Sequence, residues 1–158
     1  MRFENIFRNF LAKIISLLFP VKKVTANELF DLWNDGKIKK ILFVRQNQGI
    51  GDMLLLTPVF RILKEAKRDL QIDLIASSHN YVAIKTNPYL NKIYVWKKSN
   101  ILNNLSIIFR TRRVDYNMAI VVWSHTPFFY FFFVCKIIIS KCNYFIRFFQ
   151  SLWRKQLE

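Results

Sequence analysis

The sequence predicts an α/β fold built on a parallel sheet, and three observations carry that expectation. A short continuous apolar run, Ile41-Leu42-Phe43-Val44, has the pattern of a strand buried on both faces. Strand-like and helix-like segments then alternate as far as Trp123, the order that sets parallel strands side by side with helices between them. Two of the three glycines, Gly49 and Gly51, fall between that first strand and the next helix, where turns of such sheets meet ligands. With 158 residues, 53% of them hydrophobic, and only four prolines, the chain has the size of one domain and can form a packed core. Disordered, collagenous and disulfide-stapled classes are excluded.

Before the first strand, residues 3–19 place Phe3, Ile6, Phe7, Phe10, Leu11, Ile14, Ile15 and Leu18 at steps of three and four, the period of an amphipathic helix. Arg2, Arg8, Lys13, Lys22 and Lys23 dot its polar side and end, and Pro20 stops it. Two readings stay open: a helix lying in a membrane interface through Phe3, Phe7, Phe10, Ile14 and Leu18, or one docked on its own domain. Thr25-Ala26-Asn27-Glu28 is a capping box that opens a short helix, which Gly36 can close in the left-handed conformation. The expected organisation is an extension over 1–38, an α/β lobe over 39–150 and a tail over 151–158.

Within the lobe the pattern predicts a helix over 52–67, a strand from Gln71 to Ala76, a short helix from His79 to Lys85, and a strand from Lys92 to Trp96. A helix from Asn100 to Arg110 and a strand from Met118 to Trp123 follow. Pro127 to Ile139, PFFYFFFVCKIII, reads as a helix against the sheet, with a weak strand from Tyr144 to Arg147. Met118–Ile139 has the length of a membrane span, but His125, Pro127 and Lys136 interrupt it. Cys135 and Cys142 lack the spacing of a redox or zinc pair and read as reduced and buried. The N-terminal apolar stretch lacks a cleavage site and is broken by Arg8 and Lys13, so it is not read as a signal peptide and the cytoplasm is the expected compartment.

Charge narrows the partners. Lys and Arg number 25 against 10 Asp and Glu, giving +15, and after Asp73 the acids are Asp115 and Glu158 alone. An anionic neighbour follows from that balance. A nucleic-acid module is one alternative, with Lys97, Lys98, Arg110, Arg112 and Arg113 near Tyr94 and Trp96; a small membrane-anchored protein is another.

The loop Arg45-Gln46-Asn47-Gln48-Gly49-Ile50-Gly51-Asp52 is where chemistry is expected. Glycine there permits positive φ and close approach of backbone to a ligand. Asp52 is the sole acid between Asp35 and Glu65. It reads either as a helix-start residue favoured by the helix dipole or as a general base aimed into the cleft. The dinucleotide fingerprint fails at Leu54, no P-loop is present, and His79 and His125 have no partners at metal-ligand spacing.

The stretch Ile41 to Arg45, then Gly49-Ile50-Gly51-Asp52-Met53-Leu54-Leu55-Leu56-Thr57-Pro58, then Phe60-Arg61-Ile62-Leu63-Lys64, resembles the N-terminal lobe of glycosyltransferase family 9, the ADP-heptose:lipopolysaccharide heptosyltransferases. Ile72-Asp73-Leu74-Ile75, Asn87 to Ile93 and Asp115 to Ile120 extend the resemblance over roughly 40–148. It implies a Rossmann-like parallel sheet forming the N-terminal half of a two-lobed GT-B fold, and inverting transfer of heptose with no metal and no bound cofactor. It also implies Asp52 as catalytic base, with Gly49, Gly51 and Thr57 at the substrate. The donor, ADP-heptose, would bind a second lobe outside this chain, so a truncated or split enzyme, inactive alone, is expected. Expected partners are the lipopolysaccharide core or a lipid A-linked acceptor, an anionic inner-membrane surface at whose cytoplasmic face the protein would sit peripherally, and a separate C-terminal lobe; nucleic acid is not expected. The chain departs from the family after the fourth strand, where Trp123-Ser124-His125-Thr126-Pro127 replaces a small-residue turn.

Overall fold

The computed structural model describes residues 25–45, 49–97 and 99–123 and the strand at 144–149. The helices expected over 3–19 and 127–139, with Phe3, Phe7, Phe10, Ile14, Leu18, Cys135 and Cys142, lie outside the described residues. Five strands, β1 (Lys40–Arg45), β2 (Gln71–Ser77), β3 (Lys92–Trp96), β4 (Met118–Trp123) and β5 (Tyr144–Phe149), form one sheet of order β3-β2-β1-β4-β5. Every neighbouring pair is parallel. The alternation read from the sequence is therefore the real order of the fold, and β5 runs two residues past the predicted Arg147.

The central strands are apolar on both sides because both sides are covered. Ile41 and Phe43 of β1 pack with Ile72 and Leu74 on one face, whereas Leu42 and Val44 pack with Ile75, Ala119 and Val121 on the other. Asn117 Oδ1 accepts from the backbone N–H groups of Lys39 and Lys40 at 2.9 and 2.8 Å, which satisfies the start of β1 and sets its register against β4.

Helix α1 (Ala26–Asn34) begins as its sequence requires. Thr25 Oγ1 accepts from Glu28 N–H while the Glu28 carboxylate accepts from Thr25 N–H at 3.0 Å. It ends with Gly36 at φ +69°, where Lys37 N–H donates to the Leu32 carbonyl and Gly36 N–H to that of Trp33, the left-handed closure that favours glycine. Leu29, Leu32 and Trp33 lie against the core. Lys67 caps the contact, its ammonium donating to the Trp33 carbonyl and sitting 4.3 Å from the indole centroid.

The single helix expected over 52–67 is two helices, α2 (Ile50–Leu54) and α3 (Thr57–Ala66). The cause is Pro58: it has no N–H for the Leu54 carbonyl, so the ladder breaks and restarts with proline in the first turn, where a missing donor costs nothing. Helix α4 (Ser78–Ile84) follows β2 directly, with Ser77 Oγ accepting from Asn80 N–H. Met53 of α2, Phe60 of α3 and Ile84 of α4 are buried on the Ile41–Phe43 face, while helix α5 (Ile101–Arg112) buries Ile107 and Ile108 on the opposite face.

Candidate active site

After β1 the chain builds outward through β2 and β3, then returns to the other side of β1 to form β4. In open sheets of this kind ligands bind at the carboxyl ends of the strands where the order reverses, here β1 and β4. β1 delivers Arg45 to that edge and α2 delivers Asp52.

Strand alternation decides where Arg45 goes. Residues 41, 43 and 45 share one face of β1, so the arginine follows Ile41 and Phe43 into the layer that holds Met53, and α2 is the element waiting there. The Arg45 Nη2 group donates to Asp52 Oδ2 at 2.5 Å, with the arginine side chain 1% exposed and the aspartate 34% exposed. Nη1 also reaches the Val122 carbonyl at 3.4 Å, tying the guanidinium to the end of β4. Burial pushes the Arg45 guanidinium below its ordinary value, and the charge and hydrogen bond of Asp52 oppose that shift. A guanidinium titrates so high that it stays cationic even so.

Gly49 caps α2 and supports the pair by lacking a side chain. A β-carbon there would lie 3.1 Å from Asp52 Oδ2. Its backbone, however, sits at φ −67°, and Gly36 is the glycine with positive φ; the expectation that these glycines serve by positive φ is therefore corrected. Gly51 lies in the first turn of α2 with nothing within 4 Å of the space its β-carbon would fill. Thr57 opens α3, half-buried, one short helix beyond Asp52. The structure thus brings Gly49, Asp52 and Arg45 together at the sheet edge and leaves Gly51 on the open side of the turn.

Arg45 is the residue that the sequence reading passed over as a site member. Its signal was present: a cation at the end of a buried strand, in phase with Ile41 and Phe43, seven positions before an isolated acid. Among the described residues no group of three or more His, Cys, Asp and Glu side chains could hold a metal ion. His79 is exposed on α4. Trp96 is buried and Tyr94 is partly buried against the core.

No protein-family model and no curated protein matches the chain. Among solved structures it is similar to the glycosyl transferase family 9 protein from Veillonella parvula DSM 2008, with a TM-score of 0.55 and 17% sequence identity, covering 74% of this chain and 34% of that one. The chain spans about a third of the length of that structure. The likeness is one of fold: the Rossmann-like parallel sheet expected from the Gly-Asp turn and its flanks is the architecture shared with a solved member of that family.

Proposed function

We propose that the chain is the acceptor-side lobe of a glycosyltransferase, with Asp52 as the base and Arg45 as the group that holds it. The observation that carries this reading is the placement of a partly exposed carboxylate, just past the carboxyl end of β1, on a buried guanidinium. The fold shared with a glycosyl transferase family 9 structure supports it.

In the proposed reaction the acceptor hydroxyl loses its proton to the Asp52 carboxylate while its oxygen bonds to the anomeric carbon of the donor sugar. The bond from that carbon to the nucleotide diphosphate breaks, and the diphosphate leaves with the electron pair, which inverts the anomeric centre. A second lobe must hold the donor in line, because orientation of two reactants supplies roughly 7–11 kcal/mol of barrier lowering. The finer proposal is that the donor is ADP-heptose and the acceptor a phosphorylated lipopolysaccharide core or lipid A-linked sugar, whose anionic groups suit a chain of net charge +15.

The test supplies the chain with the donor-binding lobe of a family 9 enzyme, by fusion, and follows transfer of labelled heptose to a heptose-less core. Native Asp52 should support turnover, and Asp52→Asn should lower it by about 10²–10⁴-fold, the usual worth of a general base. Near-native turnover by a folded Asp52→Asn variant would remove the base from the proposal.

A further inference from the structure

Helix α5 is amphipathic in an unusual sense, since its inner face carries the buried Asn104 and Thr111 beside Ile107 and Ile108 and its outer face carries large apolar side chains. The inner face is held firmly. Asn104 is buried, its amide donating to the Lys97 carbonyl at 2.7 Å and accepting from Lys97 N–H at 3.1 Å. Asn103 donates to the Val95 carbonyl at 2.9 Å, and the buried Thr111 hydroxyl donates to the Ile107 carbonyl at 2.8 Å. With Ile107 and Ile108 in the core, the helix has no freedom to turn its other side inward.

That other side presents Leu102 at 81% exposed, Phe109 at 64%, Ile101 at 62% and Leu105 at 41%. At 3.6 residues per turn these four fall within an arc of about 100°. Arg112 falls within the same arc, Arg113 about 20° past its edge and the exposed Arg110 about 80° past it, on the flank of the stripe. The flanking sequence is mainly basic: it contains no acid between Asp73 and Asp115, which follows the helix by three residues, and it places Lys97 and Lys98 shortly before the helix. An apolar stripe within a mainly basic stretch suits a surface that is apolar inside and anionic at its face. A protein partner would need matching acids, and a nucleic acid would have no use for the leucines.

We infer that the outer face of α5 is a docking surface for an anionic lipid bilayer, with Ile101, Leu102, Leu105 and Phe109 entering the headgroup layer and the exposed Arg110 and Arg113 on its flank meeting lipid phosphates. This surface belongs to a different segment from the helix expected over residues 3–19, and its existence does not depend on the sugar-transfer reading. It would hold the sheet with the α2–α4 layer away from the bilayer.

Two measurements on the full chain test it. In the first, an environment-sensitive dye is placed on Leu105→Cys, with Cys135 and Cys142 replaced by serine. Its emission should shift to the blue on vesicles of phosphatidylcholine mixed with phosphatidylglycerol, and not on phosphatidylcholine alone. In the second, co-sedimentation with the mixed vesicles is compared for the native chain, Leu102→Ser with Phe109→Ser, and Arg110→Glu with Arg113→Glu. Each pair of changes, on a chain of unchanged circular dichroism, should weaken binding by about tenfold or more, since each arginine near an anionic surface contributes roughly fivefold. No dye shift on mixed vesicles overturns the inference, as does binding unchanged in both variants. A blue shift that appears on concentrating the lipid-free protein assigns the face to a second copy of the chain instead. Single-stranded DNA that competes with the vesicles and loses affinity in the arginine variant assigns it to nucleic acid.

Discussion

Tyr116 donates its hydroxyl proton to Asp73 Oδ2 at 2.5 Å inside the apolar layer between the sheet and α5, with both residues buried. Desolvation raises the Asp73 carboxyl above its ordinary range, opposed by the Tyr116 hydrogen bond and by Lys92, and the Tyr116 phenol is pushed far up by burial.

The sign of the pH dependence follows. An unfolded aspartate titrates near about 3.9, and the folded value lies higher. Between the two the native state binds more protons than the unfolded chain, so stability falls as pH rises through that window. Asp73→Asn, which still accepts from Tyr116, removes the buried charge. In urea melts its stability relative to the native chain should increase as pH is taken from below the unfolded value to neutrality. A difference that stays flat with pH would show that Asp73 does not titrate in this way. Tyr116→Phe, which takes one donor from the carboxylate and leaves it the Lys92 backbone, should lose about 1–3 kcal/mol at neutral pH.

The two glycines of the candidate site should respond differently to alanine. At position 49 the new β-carbon meets Asp52 Oδ2 at 3.1 Å, so the carboxylate must give by a few tenths of an ångström against Arg45, and a loss of about 1 kcal/mol with reduced transfer is expected. At position 51 the space is open and the residue is helical, so Gly51→Ala should be neutral or stabilising by up to about 1 kcal/mol. Thermal melts of the two variants check the ordering; equal losses would contradict it.

Gly36 makes a third case, at φ +69° with nothing near its missing β-carbon. Gly36→Ala should cost about 1–2 kcal/mol through backbone strain alone, and Gly36→Asn less, because asparagine tolerates the left-handed region. Denaturant midpoints that rank the two the other way would place the cost elsewhere.

Much of this fold was legible because its strands are bracketed by polar turns and its buried runs are uninterrupted. Lys92–Trp96 and Met118–Trp123 were predicted to the residue. The break between α2 and α3 was missed because Leu54, Leu55 and Leu56 keep a helical apolar rhythm across it, and the missing proton of Pro58 outweighs that rhythm. At the site, Asp52 stood out as a lone acid beside glycine. Tyr116 did not, because its partner Asp73 lies on another strand 43 residues away, and Arg45, though only seven residues before Asp52, reads as a solvated charge at a strand end until the chain is folded. The outward apolar stripe of α5 was hidden for the same reason, since the sequence period shows that leucines align but not which side of the helix Asn104 and Thr111 draw inward.

The Arg45–Asp52 pair gives the last prediction, which separates a structural counter-ion from a base. Arg45 is almost wholly buried, whereas Asp52 keeps a third of its side chain in water, so the partners are not equivalent. Removing Asp52 leaves a buried cation without its anion, and Asp52→Ala should cost about 3 kcal/mol, the low end for breaking a buried pair. Removing Arg45 leaves a carboxylate that water can reach, and methionine suits the apolar layer around Phe43, so Arg45→Met should cost less. Combining the two should recover part of the Asp52→Ala loss, giving a coupling of about 1–3 kcal/mol in a double-mutant cycle by urea denaturation; strictly additive losses would mean that the contact does not contribute to folding. The recovered double variant then reports on chemistry, because its fold no longer depends on the missing charge. If Asp52 is the base, the variant should remain inactive in the fused enzyme although its stability is restored, and a return of turnover would assign Asp52 to holding Arg45 and nothing more.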